Sequence, residues 1–387
     1  MVAFLASRRK AAAWIFTALS ALALAGCDAS LGGGPLVGPG RTVKVGLLVP
    51  KTSPAGAALA QSLENAARLA VNDVQGARIE LAVYDTQGSA AGAAYAARQA
   101  LNGGAKILLG PLYAEAANAA GQVARGSGVN VLSFSNNPTI AGGNVFILGN
   151  TFQTSADRLV RYAVGQGRSD IYIVHAQDPA EELGRDAIER AIQANGARLA
   201  GVGSFPLSQQ GVIETMPGIA RDIRASGATA VFTTSGTAGA LPFVAQLLPE
   251  NGVTPDAVQL IGLQRLDIPA TALSMRGLQG AWFAAPAPGL QGQFSDRYQA
   301  AFGERPSPVA GLAYDGIAAI GALVASGQAN ALTVDALTQG AGFAGVNGPF
   351  RFFRNGTNER GLAVAQVLNN QVIVIDPAPA SFGAAGF

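Results

Sequence analysis

The sequence is almost without histidine and cysteine, with one of each in 387 residues. A single cysteine excludes an intrachain disulfide and a zinc site built on several thiolates. A single histidine, His175, closes off mechanisms that need a histidine cluster. Charge is scarce as well: Asp, Glu, Lys and Arg make up 13% of the chain, about half the usual share. Basic and acidic residues nearly cancel, 26 against 24, so no surface for nucleic acid is implied. No G-x-S-x-G elbow and no G-x-x-x-x-G-K-[ST] phosphate loop occurs. No metal or cofactor is implied by these counts. They lean towards a binding protein rather than a hydrolase or a metalloenzyme.

What is present begins with an address. Arg8, Arg9 and Lys10 precede an uncharged apolar run, Ala11 to Ala25. The run is short for a bilayer span and has the shape of a signal peptide. An S-x-x-K spacing at Ser7 to Lys10 falls inside it and is discarded. The segment ends Leu24-Ala25-Gly26-Cys27, which resembles the bacterial lipobox, whose cysteine is lipidated and becomes the first mature residue. Residues 1–26 are therefore expected to be a lipoprotein signal peptide, with Cys27 as the lipidation site. Asp28 fits a signal for inner-membrane retention, and inner or outer membrane stays open. Residues 27–42 read as a Gly/Pro tether. No later segment is composed like a membrane span, so a soluble body is expected beyond the tether.

The body alternates strand and helix patterns. Val43 to Val49 is a buried-strand run closed by Pro50, and Leu59, Leu63, Ala66, Ala67 and Ala70 follow at helical spacing. Strands are predicted at Arg78–Tyr84, Lys106–Leu109 and Val129–Phe134, with helices at 90–101 and 114–124 between them. The pattern restarts with a helix at 156–164 and continues to a strand at Gln259–Leu263. Alternation of this kind predicts right-handed crossovers and parallel sheets covered on both faces. Later, Leu362–Val367 and Gln371–Ile375 flank Leu368-Asn369-Asn370, which reads as a hairpin.

Several stretches together resemble the type I periplasmic binding proteins, specifically the Leu/Ile/Val-binding family of ABC-transporter receptors. They are Val43 to Pro50, Gly110-Pro111-Leu112, Val131 to Pro138, Thr234-Ser235-Gly236 and Ala313-Tyr314-Asp315-Gly316. The resemblance covers about 42–378. It implies an α/β fold of two doubly wound parallel-sheet lobes, joined by hinge strands, that close on a ligand. The lobes are expected at 43–149 plus 276–345 and at 150–275 plus 346–378, with a tail at 379–387. In open parallel sheets ligands bind beyond the carboxyl ends of the strands. The candidate ligand-binding residues are therefore Ser53, Tyr113, Ser133, Ser135, Asn136 and Asn137 in the first lobe. Gln177, Asp178, Ser235, Gly236, Thr237 and Gln264 are the candidates in the second. Ser135 to Asn137 best match the family's carboxylate-holding loop. Any of these Ser and Asn residues also suits a helix cap.

The chain departs from the family's amino-acid binders in three places. Ala114 and Glu115 stand near the usual hydroxyl position, and the loop 176–182 lacks the usual tyrosine. Gln264 stands where an acid pairs the ligand's ammonium, which weakens the case for an α-amino acid. Asp178, Glu181 and Glu182 are the nearby acids able to stand in. The resemblance implies a non-enzymatic, lipid-anchored periplasmic protein that binds a small polar ligand, amino acid or amide-like, for an ABC permease. The alternative is an activator of penicillin-binding proteins, a group of envelope lipoproteins that share this fold.

Overall fold

The computed structural model describes residues 34–38 and 40–382. The expected signal peptide and Cys27 lie outside the described residues. In the first sheet, β1 (Thr42–Val49), β2 (Arg78–Asp85), β3 (Ile107–Leu109), β4 (Val131–Ser133) and β5 (Val145–Ile147) run in the order β2-β1-β3-β4-β5. Every pairing in it is parallel. Helices α1 (Ala57–Asp73), α2 (Ala90–Asn102) and α3 (Ala114–Arg125) make the crossovers. Strand alternation sorts the core. Val45, Leu47 and Val49 pack on α1 through Leu63, Ala66 and Ala67, whereas Leu48 and Leu108 meet Ala96, Ala100 and Ala120 on the other face. Small helix faces let α2 and α3 lie close to the sheet.

The chain then passes through α4 (Phe152–Gly165), β6 (Asp170–Ala176), α5 (Pro179–Ala194), β7 (Arg198–Phe205) and α6 (Gln209–Ser226). It continues with β8 (Ala230–Thr233), α7 (Leu241–Glu250), β9 (Gln259–Gly262) and β10 (Trp282–Ala285). These strands form a second sheet with a closing hairpin, β13 (Ala363–Leu368) and β14 (Gln371–Asp376), in the order β14-β13-β10-β9-β8-β6-β7. The β7-to-β10 part is parallel and the hairpin edge antiparallel. Asn369 and Asn370 have φ of 52° and 60°. Two consecutive positive values are what a type I′ hairpin needs.

Helices α8 (Pro288–Phe302) and α9 (Ala310–Ala325) return to the first sheet, where Phe294, Tyr298, Ile317 and Ile320 join its core. After α10 (Val334–Leu337), a small antiparallel pair forms from β11 (Phe350–Phe352) and β12 (Asn358–Arg360). Phe350 and Phe352 are buried in the first core, and the Phe352 ring meets Phe146 edge-on at 5.6 Å. The chain thus crosses between the sheets near 149–151, 286–287 and 360–362. β10 and the Phe350–Phe352 strand fall on the far sides of the boundaries expected at 276 and 346. Aromatic packing and strand pairing set the crossings, and neither leaves a break in composition. The architecture is the two-lobed α/β fold that the resemblance implied.

Candidate functional site

In the first sheet the strand order reverses between β1 and β3, and the loop after β3 opens there. That loop, Gly110 to Tyr113, has no room for a side chain at its start. Gly110 has φ of +90°, and a Cβ on it would lie 2.3 Å from the Leu48 carbonyl oxygen. Tyr113 ends the loop and starts α3 without a side-chain cap. Facing it across the chain crossings is the loop after β9, Leu263 to Ile268. Between the lobes lies a cleft of about 530 Å³. Leu112, Phe134, Phe152, Leu263, Ile268 and Leu312 give it apolar walls. Tyr113, Ser135, Asn136, Asn150, Ser155, Gln264, Arg265, Asn347 and Arg360 give it polar groups.

The structure brings four of the twelve candidates to this cleft: Tyr113, Ser135, Asn136 and Gln264. The others have neighbours of their own. Ser53 packs against Gly88, in the loop after β2. Ser133 is fully buried, donating to Pro111 O at 2.9 Å and accepting from Ser135 N at 3.1 Å. Asn137 caps a short turn, its Oδ1 accepting from Thr139 N at 2.9 Å. Gln177 donates to Ser204 Oγ at 3.2 Å, and Thr237 donates to Ile268 O. Gly236 lies under the Gln264 side chain, and Gln264 Nε2 donates to Thr234 O at 2.9 Å.

The second lobe's strand-end loops meet on one carboxylate. Glu181 Oε2 accepts from Ala176 N at 2.6 Å, Thr234 Oγ1 at 2.9 Å and Ser235 Oγ at 2.9 Å. Asp178 is the N-cap of α5, and its Oδ1 accepts from Ala180 N and Glu181 N. The loops after β6 and β8, where the sheet order reverses, are therefore satisfied internally. His175 is buried, with Nδ1 2.8 Å from Ala176 O, and does not line the cleft.

The chain crossings supply what sequence reasoning missed. Asn358 Nδ2 donates to Ile147 O and Gly149 O, at 2.6 and 2.9 Å. Arg360 donates from Nε to Leu148 O and from Nη1 to Asp315 Oδ2, both at 2.8 Å. Both side chains of that ion pair are shut away, 2% and 0% exposed. Burial pushes the Asp315 carboxyl above its ordinary range, against the pull of Arg360 and the Val346 N–H. Arg360 Nη2 has no hydrogen-bond partner. Arg265 grips Asp267 through Nε and Nη2, at 2.6 and 2.5 Å, and makes no further hydrogen bond. The sequence signal for Arg265 is its place beside Gln264. Arg360 has none, since its partner is 45 residues away.

Among the described residues no cluster of His, Cys, Asp and Glu is arranged to hold a metal ion. Gly340, Gly342 and Gly345 have the G-x-G-x-x-G spacing of a dinucleotide loop, but they follow helix α10 and precede strand β11. The fingerprint needs a strand before it and a helix after it, so this stretch is not one. Among the described residues no helix is long and apolar enough to cross a membrane.

A family model described as periplasmic binding protein matches residues 42–371. A putative branched-chain amino acid ABC transporter protein from Rhodospirillum rubrum superposes with a TM-score of 0.74 at 18% identity, covering 87% of this chain and 100% of that one. An ABC transporter substrate-binding protein from Desulfitobacterium hafniense, solved in complex with Leu, gives 0.65 at 18% identity over 87% and 100%. A solute-binding protein of an ABC transporter from Rhodopseudomonas palustris BisB5, in complex with 3,4-dihydroxybenzoic acid, gives 0.59 at 18% over 89% and 98%. At such identities the likeness speaks for the fold. No curated protein sequence matches the chain.

Proposed function

The chain belongs to the periplasmic binding protein family, and from that premise we propose that it is the substrate-binding component of an ABC importer. Its two lobes would close on one small ligand. The observation that carries this reading is the apolar-walled cleft of about 530 Å³ between lobes joined by three chain crossings. That volume suits a molecule of amino-acid or amide size. Hinge closure around a ligand is a motion this architecture performs. The reading is of a binding protein and includes no catalytic step. Cys27 would carry the lipid that holds the body in the periplasm, within a tether's length of its membrane and of an ABC permease. Solved relatives bound to Leu and to 3,4-dihydroxybenzoic acid are of the right size to support it.

The test is thermal denaturation of the full chain against amino acids, amides, short peptides, muropeptides and small carboxylates. A ligand at about 1,000 times its Kd adds about 4 kcal/mol to the folded state. For about 350 residues that raises Tm by about 5–6 °C. A flat panel from well-folded protein would refute the importer reading and make penicillin-binding proteins the next partners to assay.

A further inference from the structure

We propose that the cleft selects a carboxylate that carries an apolar body and no α-ammonium group. This narrows the ligand class and rests on the binding-protein reading above. Among the described residues, the charged side chains that line the cleft are Arg265 and Arg360, and no Asp or Glu lines it. Glu115, two residues beyond Tyr113, is exposed and does not line the cleft, and the other acids near it by chain or contact are engaged. Glu181 is held by Ala176, Thr234 and Ser235. Asp178 caps α5. Asp267 gives both carboxylate oxygens to Arg265, and Asp315 gives one to Arg360 and one to the Val346 N–H.

A ligand ammonium entering this cleft would lose its water and find neutral acceptors only. That is unfavourable, because a desolvated charge needs an opposite charge or several hydrogen bonds. Gln264 offers one amide, already tied by its Nε2 to Thr234 O. For a carboxylate the balance reverses. Each arginine is neutralised by its own aspartate, so the site is not strongly positive. Arg265 is 27% exposed and makes no hydrogen bond beyond Asp267, so its Nη1 can exchange water for a ligand, whereas Nη2 of Arg360 is buried without a partner. A carboxylate oxygen offers Arg265 Nη1 a charge-assisted acceptor in place of water. Leu112, Phe134, Phe152, Leu263 and Leu312 would cover an aliphatic or aromatic body.

The test is isothermal titration of the full chain with matched pairs: leucine against 4-methylpentanoate, phenylalanine against 3-phenylpropanoate, with benzoate alongside. At least one carboxylate is expected to bind ten times or more tightly than its α-amino counterpart. Arg265→Gln should weaken that binding by tenfold or more, and Arg265→Lys, which keeps the charge without the fork, by less. Gln264→Glu should weaken the carboxylate and narrow its lead over the amino acid. An amino acid that binds as tightly as its deamino counterpart overturns the selectivity and leaves the binding-protein reading standing. Binding of an amide with every carboxylate silent does the same. Silence from every compound in this set and in the wider panel overturns both.

Discussion

Removing the Arg360 side chain is expected to destabilise the fold and to make its stability depend on pH. Asp315 is wholly buried, and Arg360 is the cation beside it. Arg360→Met keeps an apolar stem of similar length and deletes the charge. Breaking a buried pair in this way costs about 3–5 kcal/mol. Protonation caps that figure. Putting a proton on an acid of unfolded pKa about 3.9 costs about 1.4 kcal/mol per unit up to pH 7, or about 4 kcal/mol. The lost bond to Leu148 O adds about 1 kcal/mol. We therefore expect a loss of about 4 kcal/mol at pH 7. Unfolding entropy of about 2.1 cal/mol/K per residue over about 350 residues turns this into a Tm lower by about 5–6 °C.

Burial already holds the Asp315 carboxyl above its ordinary range, and losing Arg360 raises it further. The folded variant then keeps a proton that the unfolded chain releases. Its stability must fall as pH rises from about 4 towards neutrality, by at most about 1.4 kcal/mol per unit. Urea denaturation of the full chain, Arg360→Met, Asp315→Asn and the double variant, at pH 5 and pH 7, checks both points. The gap between the unaltered chain and Arg360→Met should shrink at pH 5, by at most about 2.7 kcal/mol, because the raised Asp315 of the unaltered chain also loses stability over this range, to a lesser extent. The double variant should recover at least about 2 kcal/mol of the summed single losses. A loss below about 1 kcal/mol at pH 7, or one that is additive and equal at both pH values, refutes the reasoning.

Three other perturbations follow from the structure. Glu64 accepts from Lys51 Nζ and from Arg68, and although burial raises its carboxyl, these bonds outweigh that and hold it below its ordinary value. A depressed acid stabilises above its unfolded pKa and stops doing so as pH falls through its folded one. Glu64→Gln should therefore cost about 0.5–1 kcal/mol at pH 7, given two largely exposed partners, and nothing at pH 3 by urea denaturation. Glu181→Ala leaves two hydroxyls and one backbone N–H without their carboxylate. It should cost about 2–4 kcal/mol, while titration shows ligand affinity changed by less than about fivefold, since Glu181 does not line the cleft. Gly110→Ala combines a left-handed backbone with a Cβ 2.3 Å from Leu48 O, and a loss of more than about 2 kcal/mol in thermal denaturation is expected.

The sequence carries the fold where periodicity is long. Val43 to Val49, the Leu59–Ala70 stripe and the Asn369-Asn370 hairpin each state their conformation locally, and each forms as read. It is silent on the three-residue strands β5, β11 and β12, whereas the equally short β3 and β4 sit inside apolar runs that show them. The strand character of the silent three comes from the neighbour each pairs with. The site follows the same division. Position at a strand end is legible, which is why Tyr113, Ser135, Asn136 and Gln264 reach the cleft. Whether a polar group there is free depends on what else it touches. Ser133, Asn137 and Ser235 look alike in sequence to Asn136, yet each is engaged by a backbone group or by Glu181, and Ser135 lines the cleft while its Oγ accepts from Asn137 N at 3.1 Å. Arg360 is illegible for another reason: its setting is built from β5's carbonyl end and α9, both far away in the chain.

That setting bears on how a ligand and the lobe arrangement are linked. Asn358 and Arg360 fasten the third crossing to the carbonyls of Ile147, Leu148 and Gly149 at the first. Arg360 also lines the cleft. One side chain therefore belongs both to the joint between the lobes and to the wall a ligand meets. A ligand shifts a conformational equilibrium only by its differential affinity for the two states. With the guanidinium 2% exposed, a ligand can engage it only if this crossing shifts, so any such contact would couple occupancy to the arrangement of the crossings.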